Sequence, residues 1–238
     1  MALNRGGTSL LSATDLMRLH VEALYTCDAA GRLLTVNDVG AAPAPRFFLG
    51  CTPNGNALWF RHDVDAALAN DLRRLCESQP TGIEIVDADA FIARLSRDEP
   101  VRKTWTGPAY HFPATLASTH TDVVRVTADN ATLLSPYLED WLGDVTTCAP
   151  MAAALADGKA VSVCASVRIT PHAHEAGVDT NRDFRQRGHA TRAVNAWARA
   201  VRELDRVPLY STSWNNTASR ALAKRLGLIQ FGSDLHIT

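Results

Sequence analysis

Residues 177–191, GVDTNRDFRQRGHAT, constrain this chain more than any other stretch. A short β-like segment, Gly177 to Thr180, passes through a polar turn into a glycine-centred loop, Arg185-Gln186-Arg187-Gly188-His189-Ala190. A helical pattern begins at once. Strand, basic loop with a glycine, then helix N-terminus is a physical recipe for holding a phosphate. The first helical N–H groups have no partner inside the helix, and the macrodipole adds about half a positive charge there. Arg182, Arg185 and Arg187 supply full charges able to fork onto phosphate oxygens.

The elements around this loop follow from periodicity and turn chemistry. DVVRVT (122–127) reads as a strand, and Thr132 to Leu142 as a helix with Leu133, Leu134, Tyr137, Leu138 and Trp141 on its apolar face. MAAALA and AVSVCASVRIT flank Asp157-Gly158, a hairpin turn. After the loop, Ala190 to about Leu204 is an amphipathic helix with Val194, Trp197 and Val201 on one side and Arg192, Arg199 and Arg202 on the other. PLYSTSW is a strand. Asn216 caps a helix, TASRALAKRLG, that stops at Gly227, and LIQFGSDLHI is the last strand.

The first half reads more loosely. Residues 1–10 form a tail, and a helix starts near Ser12 with Leu16, Leu19, His20, Ala23 and Leu24 at helical spacing. Residues 27–37 are a turn and strand. RFFLG and ALWFR flank Asn54-Gly55, a hairpin. Asp63 or Asp65 caps a helix to about Ser78, IEIV is a brief strand, and DADAFIARLSRD a capped helix. Residues 101–120, with Trp105, Gly107-Pro108, Tyr110, Phe112 and Pro113, read as an aromatic, turn-rich connector with a domain boundary near its end. Two domains are predicted, an N-terminal α+β domain over 1–118 and a second over 119–238.

Composition narrows the class. With 46% apolar residues and a net charge of −1, the chain supports a sizeable core and has no global field drawing it to nucleic acid or membrane. No run of 18 apolar residues is present, and the N-terminus lacks the apolar core of a signal peptide, which predicts a cytoplasmic protein. Five cysteines, an odd and scattered set, read as buried thiols, with neither a disulfide framework nor a metal site. Neither G-x-x-x-x-G-K-S/T nor G-x-G-x-x-G occurs, so the loop is not a nucleotide P-loop or a dinucleotide fingerprint.

Two signatures about 30 residues apart then agree. One is R-x-x-G-x-A, here Arg185, Gly188 and Ala190, behind the strand Gly177–Thr180; the other is N-x-A-S with a Leu-Gly helix end, here Asn216, Ala218, Ser219 and Leu226-Gly227. With them, residues 120–238 resemble the GNAT superfamily of acyl-CoA-dependent N-acyltransferases. The resemblance implies an α+β fold, a central mixed but mostly antiparallel sheet flanked by helices. It leaves the first half open, as a degenerate copy of the same fold or an unrelated α+β cap.

The resemblance also implies an N-acetyltransferase that moves the acetyl group of acetyl-CoA to a primary amine of a small molecule or peptide, by direct attack in a ternary complex. No metal is implied, and monomer and homodimer both stay open. The pyrophosphate of coenzyme A would lie on Arg185, Gln186, Arg187, Gly188, His189, Ala190 and Thr191. The pantetheine arm would pair with the backbone of Val178, Asp179 and Thr180 and with Asn216, and Ser219 would sit near the thiol. Gly188 has no Cβ, so backbone can approach the phosphates closely.

Such chemistry needs a neutral amine. Holding a lysine-like amine, pKa about 10.4, neutral at pH 7 costs on the order of 4–5 kcal/mol, so a general base is useful. Glu175, on the strand feeding the loop, is the first candidate, with His172 and His174 as alternatives. The tyrosine that the family often uses to protonate the leaving thiolate falls at Ala223 here. Ser219, Tyr210 or a water then stands in for it, or the thiolate leaves unprotonated. A non-catalytic acyl-CoA-binding or sensing module is the alternative reading.

Overall fold

The computed structural model describes residues 11–84, 88–117 and 120–238. The predicted tail, part of IEIV and the 118/119 boundary lie outside them; Ile83 and Glu84 of IEIV are bends.

The N-terminal part contributes α1 (Ala13–Leu24), β1 (Tyr25–Cys27), β2 (Leu33–Val36), β3 (Phe47–Thr52), β4 (Gly55–Phe60), α2 (Ala66–Glu77), α3 (Ala88–Leu95) and β5 (Thr104–His111). The C-terminal part contributes β6 (Val123–Val126), β7 (Met151–Ala156), β8 (Lys159–Ile169), β9 (Ala173–Thr180), α4 (His189–Glu203), β10 (Val207–Ser211), α5 (Thr217–Arg225) and β11 (Ile229–Ile237). One nine-stranded sheet runs β4-β3-β11-β5-β10-β9-β8-β7-β6, and β1 and β2 pair separately. All its pairings are antiparallel except β9 with β10. This is the α+β, mostly antiparallel architecture expected from the sequence. Strands of both halves interleave in it: β11 lies between β3 and β5, and β5 between β11 and β10.

Alternation along the strands assigns the layers. Leu209 and Phe48 pack with α1, whereas Tyr210 packs with α4 and Phe47 with α2 and α3. Thus α1 covers one face of the sheet, and α2, α3, α4 and α5 the other. A capping box at Ser12, with Asp15, starts α1. Its Met17, Val21 and Ala23 are fully buried, and so is its one histidine, His20.

Two expectations are corrected. The connector contains β5, an inner strand. Gly107-Pro108 suggested a turn, but a Cβ at Gly107 would stand 2.0 Å from the carbonyl oxygen of Thr212, so glycine is there for close backbone approach. The helix over 132–142 is instead two 3₁₀ segments, Ala128–Leu134 and Glu139–Asp144. Pro136 lacks an N–H, and Ser135 before it is extended (φ −86°, ψ 138°), which ends the first segment. Trp105 stacks on His236, Tyr110 meets Tyr210 edge-on and Phe112 packs tilted against Trp197, and so they join the two parts of the chain.

Candidate functional site

The one parallel pairing in the sheet among the described residues is short. β9 and β10 are in register only from Ala173↔Val207 to Glu175↔Leu209. Beyond this, β10 follows β5 through Ser211↔Ala109, and β9 follows β8 through Thr180↔Ser162. Diverging strands leave a cleft of about 680 Å³, walled by Ala176, Val178, Asp179 and Thr180 on one side and Tyr210, Ser211 and Thr212 on the other. On its β10 side, the backbone of 176–180 has no partner strand among the described residues.

The loop and α4 close one end. Asn181 accepts from Asp183 N at 3.1 Å and starts the turn; Arg185 Nε donates to the Thr180 carbonyl at 3.1 Å and folds the loop back on the strand. Gln186 (φ 63°) and Gly188 (φ 79°) are both left-handed. That alternation aims backbone N–H groups inward, as in anion-binding nests. The first bond of α4 is from Arg192 N to the Gly188 carbonyl, so the N–H groups of His189, Ala190 and Thr191 are the unpaired ones of its first turn. Thr191 Oγ1 is buried on the cleft wall without a hydrogen-bond partner among the described residues. His189 lines the cleft too; burial, with Arg192 and Arg187 nearby, lowers its pKa, and its Nδ1 takes a hydrogen bond from Arg192 at 2.7 Å. Arg187 turns its guanidinium onto the Phe184 ring, 5.5 Å away, rather than lining the cleft.

The start of α5 forms the opposite wall. Asn216 caps it, accepting from Ser219 N at 3.0 Å. The Ser219 hydroxyl shares a 2.6 Å hydrogen bond with the Tyr210 hydroxyl, and both residues line the cleft. Burial, outweighing the bond to Ser219, pushes the Tyr210 pKa up to about 12. Ala223 is buried in the same apolar cluster as the Tyr210 ring.

Residues 152–232 match the family model for GNAT acetyltransferases. The matched segment belongs to the GNAT superfamily. No curated protein matches the chain in sequence. Among solved structures, the chain is similar to a GCN5-related N-acetyltransferase-like protein from Streptococcus suis (14% identity, 95% of this chain and 100% of that one, TM-score 0.48). It is similar at the same identity to a tandem GNAT protein from the clavulanic acid biosynthesis pathway (94% and 91%, TM-score 0.47). A putative GNAT acetyltransferase from Novosphingobium aromaticivorans is 15% identical over 58% of this chain and 65% of that one, with TM-score 0.48. At such scores these three likenesses carry no weight of their own.

GNAT proteins use acyl-coenzyme A, and the residues here fit one. The orphaned Thr191 hydroxyl, the free N–H groups of the α4 start and the guanidinium of Arg185 suit a pyrophosphate, and the unpaired β9 edge suits an amide-bearing arm. Arg225, from the last turn of α5, adds a further cation on the wall.

At the other end of the cleft stands the candidate base. Glu175 is the last β9 residue paired with β10 and is 2% exposed, on the α1 face of the sheet. One oxygen, Oε1, bonds His20 Nδ1 very closely; the other, Oε2, lies 3.4 Å from Ser211 Oγ, and Ser211 lines the cleft. His20 Nε2 bonds Asp234 Oδ2 at 2.7 Å. Burial alone would lower the pKa of His20, but Glu175 and Asp234 outweigh it and raise it to about 10. Asp234 goes the other way: burial would raise its pKa, and His236 and His20 bring it below the ordinary value.

His174 and His172, the alternative bases, are elsewhere. His174 is buried and bonds Ser166 Oγ at 2.9 Å, under the Trp197 indole that donates to the same oxygen. His172 is exposed in the turn between β8 and β9. Sequence reasoning did not connect His20, Ser211 or Asp234 to the site. The local signals were a histidine on the apolar stripe of α1 and an aspartate in the last strand, polar groups at core positions that by themselves do not show that they meet.

Proposed function

We propose that the chain is an N-acetyltransferase that carries the acetyl group of acetyl-CoA to a primary amine of a small molecule or peptide, by direct attack in a ternary complex. The observation that carries this reading is the cleft between diverging β9 and β10, with an anion cradle at one end and a carboxylate behind a serine at the other. Val178, Asp179, Thr180, Arg185, Gln186, Gly188, His189, Ala190, Thr191, Asn216 and Ser219 hold the donor, with Arg187 supporting the loop from outside. The thioester supplies the activated acyl group. Glu175 is the base: the amine proton passes to Ser211 Oγ while the Ser211 proton passes to Glu175 Oε2. At the leaving sulfur, the Ser219 hydroxyl, held by the Tyr210 hydroxyl at 2.6 Å, donates a hydrogen bond to the departing thiolate, which takes its proton from solvent; this stands in the place the family gives to a tyrosine at the Ala223 position.

The division near 118/119 then separates a donor-binding segment, 119–238, from an N-terminal segment whose α1 covers the base. Acetyl-CoA consumption, followed as released thiol against a panel of primary amines, tests the reading. Amine-dependent thiol release supports it. Donor binding without release for any amine favours the second reading, an acyl-CoA-binding or sensing module, which the loss of the tyrosine at Ala223 motivates.

A further inference from the structure

His20 comes from the N-terminal helix, far outside the segment that carries the donor signatures, yet it occupies the centre of the acyl end. Both of its ring nitrogens meet carboxylate oxygens: Nδ1 meets Glu175 of β9 and Nε2 meets Asp234 of β11, at 2.7 Å. All three side chains are buried. We propose that His20 is the positioning residue for Glu175: held by Asp234 through one nitrogen and bonded to Glu175 through the other, it lets both buried carboxyl groups stand ionised together and keeps Glu175 Oε2 turned to Ser211.

A neutral imidazole has one N–H, so it satisfies one carboxylate and opposes a lone pair to the other. Two carboxylate acceptors at opposite nitrogens need a ring with both protons. The array then rests at one net negative charge, and taking one more proton at Glu175 brings it to zero. Without the histidine, two carboxylates would share a dry pocket. Like charges there cannot both persist, and one would bind a proton at neutral pH. A protonated Glu175 takes no proton from an amine.

The other groups around the array do not replace His20. His236, from β11, has its Nε2 3.4 Å from Asp234 Oδ2, but its Nδ1 is engaged by the Tyr25 hydroxyl at 2.8 Å and its ring is stacked between Phe48 and Trp105. Arg168, the cation on β8 opposite Glu175, is paired with Asp38 at 2.9 Å. His111 of β5 lies beyond the Phe231 ring. From β10, Ser211 is the polar contact. Asp234 Oδ1 is buried without a partner among the described residues, an arrangement that a core selected only for stability would avoid.

The use of the array as a base support rests on the acetyl-transfer reading, so the test separates the two. In protein labelled with ¹⁵N-histidine, the wild-type spectrum is expected to show His20 with both ring nitrogens protonated at pH 7 and for more than one pH unit above it; a neutral His20 at pH 7 overturns the inference and needs no variant. Infrared difference spectra of His20→Gln against wild type are expected to gain one protonated carboxyl at pH 7; a folded variant with every carboxylate ionised also overturns it. Acetyl-CoA titration by calorimetry on both proteins is expected to give the same affinity within about twofold. If neither binds acetyl-CoA while His20 is doubly protonated, the acetyl-transfer reading fails and takes the base role with it, and the proton-holding array alone stands. If both bind and His20 is neutral, the array alone fails.

Discussion

At the phosphate end of the cleft, one continuous stretch, 178–191, supplies strand edge, left-handed turn and helix start. At the acyl end, His20, Glu175, Ser211 and Asp234 meet from four elements spread over nearly the whole chain, the partners of the two His20 bonds standing 155 and 214 positions apart in sequence. The first end is a product of local backbone geometry and tolerates most changes elsewhere. The second exists only if α1, β9, β10 and β11 are packed together, so its chemistry is tied to global folding. Binding of the donor and activation of the amine should therefore be separable by mutation.

The sharpest way to break that separation is at Glu175. Glu175→Gln keeps the shape and removes the base, so turnover should fall about 10²–10⁴-fold while acetyl-CoA affinity holds; a parallel loss of affinity, read by calorimetry, would merge the two ends. His20→Gln should destabilise the fold by about 3–5 kcal/mol in urea unfolding at pH 7, because it removes the cation between two buried carboxylates. The pH dependence has a defined sign. His20 is raised from 6.5 to about 10, so its contribution is complete below pH 6.5 and fades as pH climbs towards 10. Asp234 is lowered, so its contribution holds above its ordinary value of 3.8 and is lost as pH falls through the folded value. The difference in unfolding free energy between wild type and His20→Gln should thus shrink from neutral to alkaline pH; a difference flat up to pH 10 would contradict it.

Smaller effects belong to the donor-binding walls of the cleft. Gly188→Val forces a β-branched residue to φ 79°, and strain of about 1–3 kcal/mol should appear as roughly a 5- to 150-fold loss of acetyl-CoA affinity. Asn216→Ala removes the α5 cap and should cost about 1 kcal/mol of stability, with a modest loss of affinity.

The same contrast explains what could be read in the sequence. Ser12, Asn54-Gly55, Asp157-Gly158, Asn216 and Gly227 act through their immediate neighbours, and the helices and hairpins they delimit stand where periodicity put them. The loop 185–191 was legible for that reason. Pro136 was a local signal too, but the apolar face of 132–142 obscured it. β5 was not legible, because Gly107-Pro108 has the chemistry of a turn and only its distant neighbour Thr212 explains the glycine. Nor was the carboxylate–imidazole–carboxylate array. His20 reads as one more position on a helix face, and nothing within 100 residues of it indicates that Glu175 and Asp234 converge on its ring.

The most direct measurement of the central claim is calorimetric titration of acetyl-CoA into the intact protein and into Gly188→Val. The cleft as described predicts one saturable site per chain, weakened at least about fivefold by the substitution. No saturable binding by the intact protein, or equal binding by both, would contradict it.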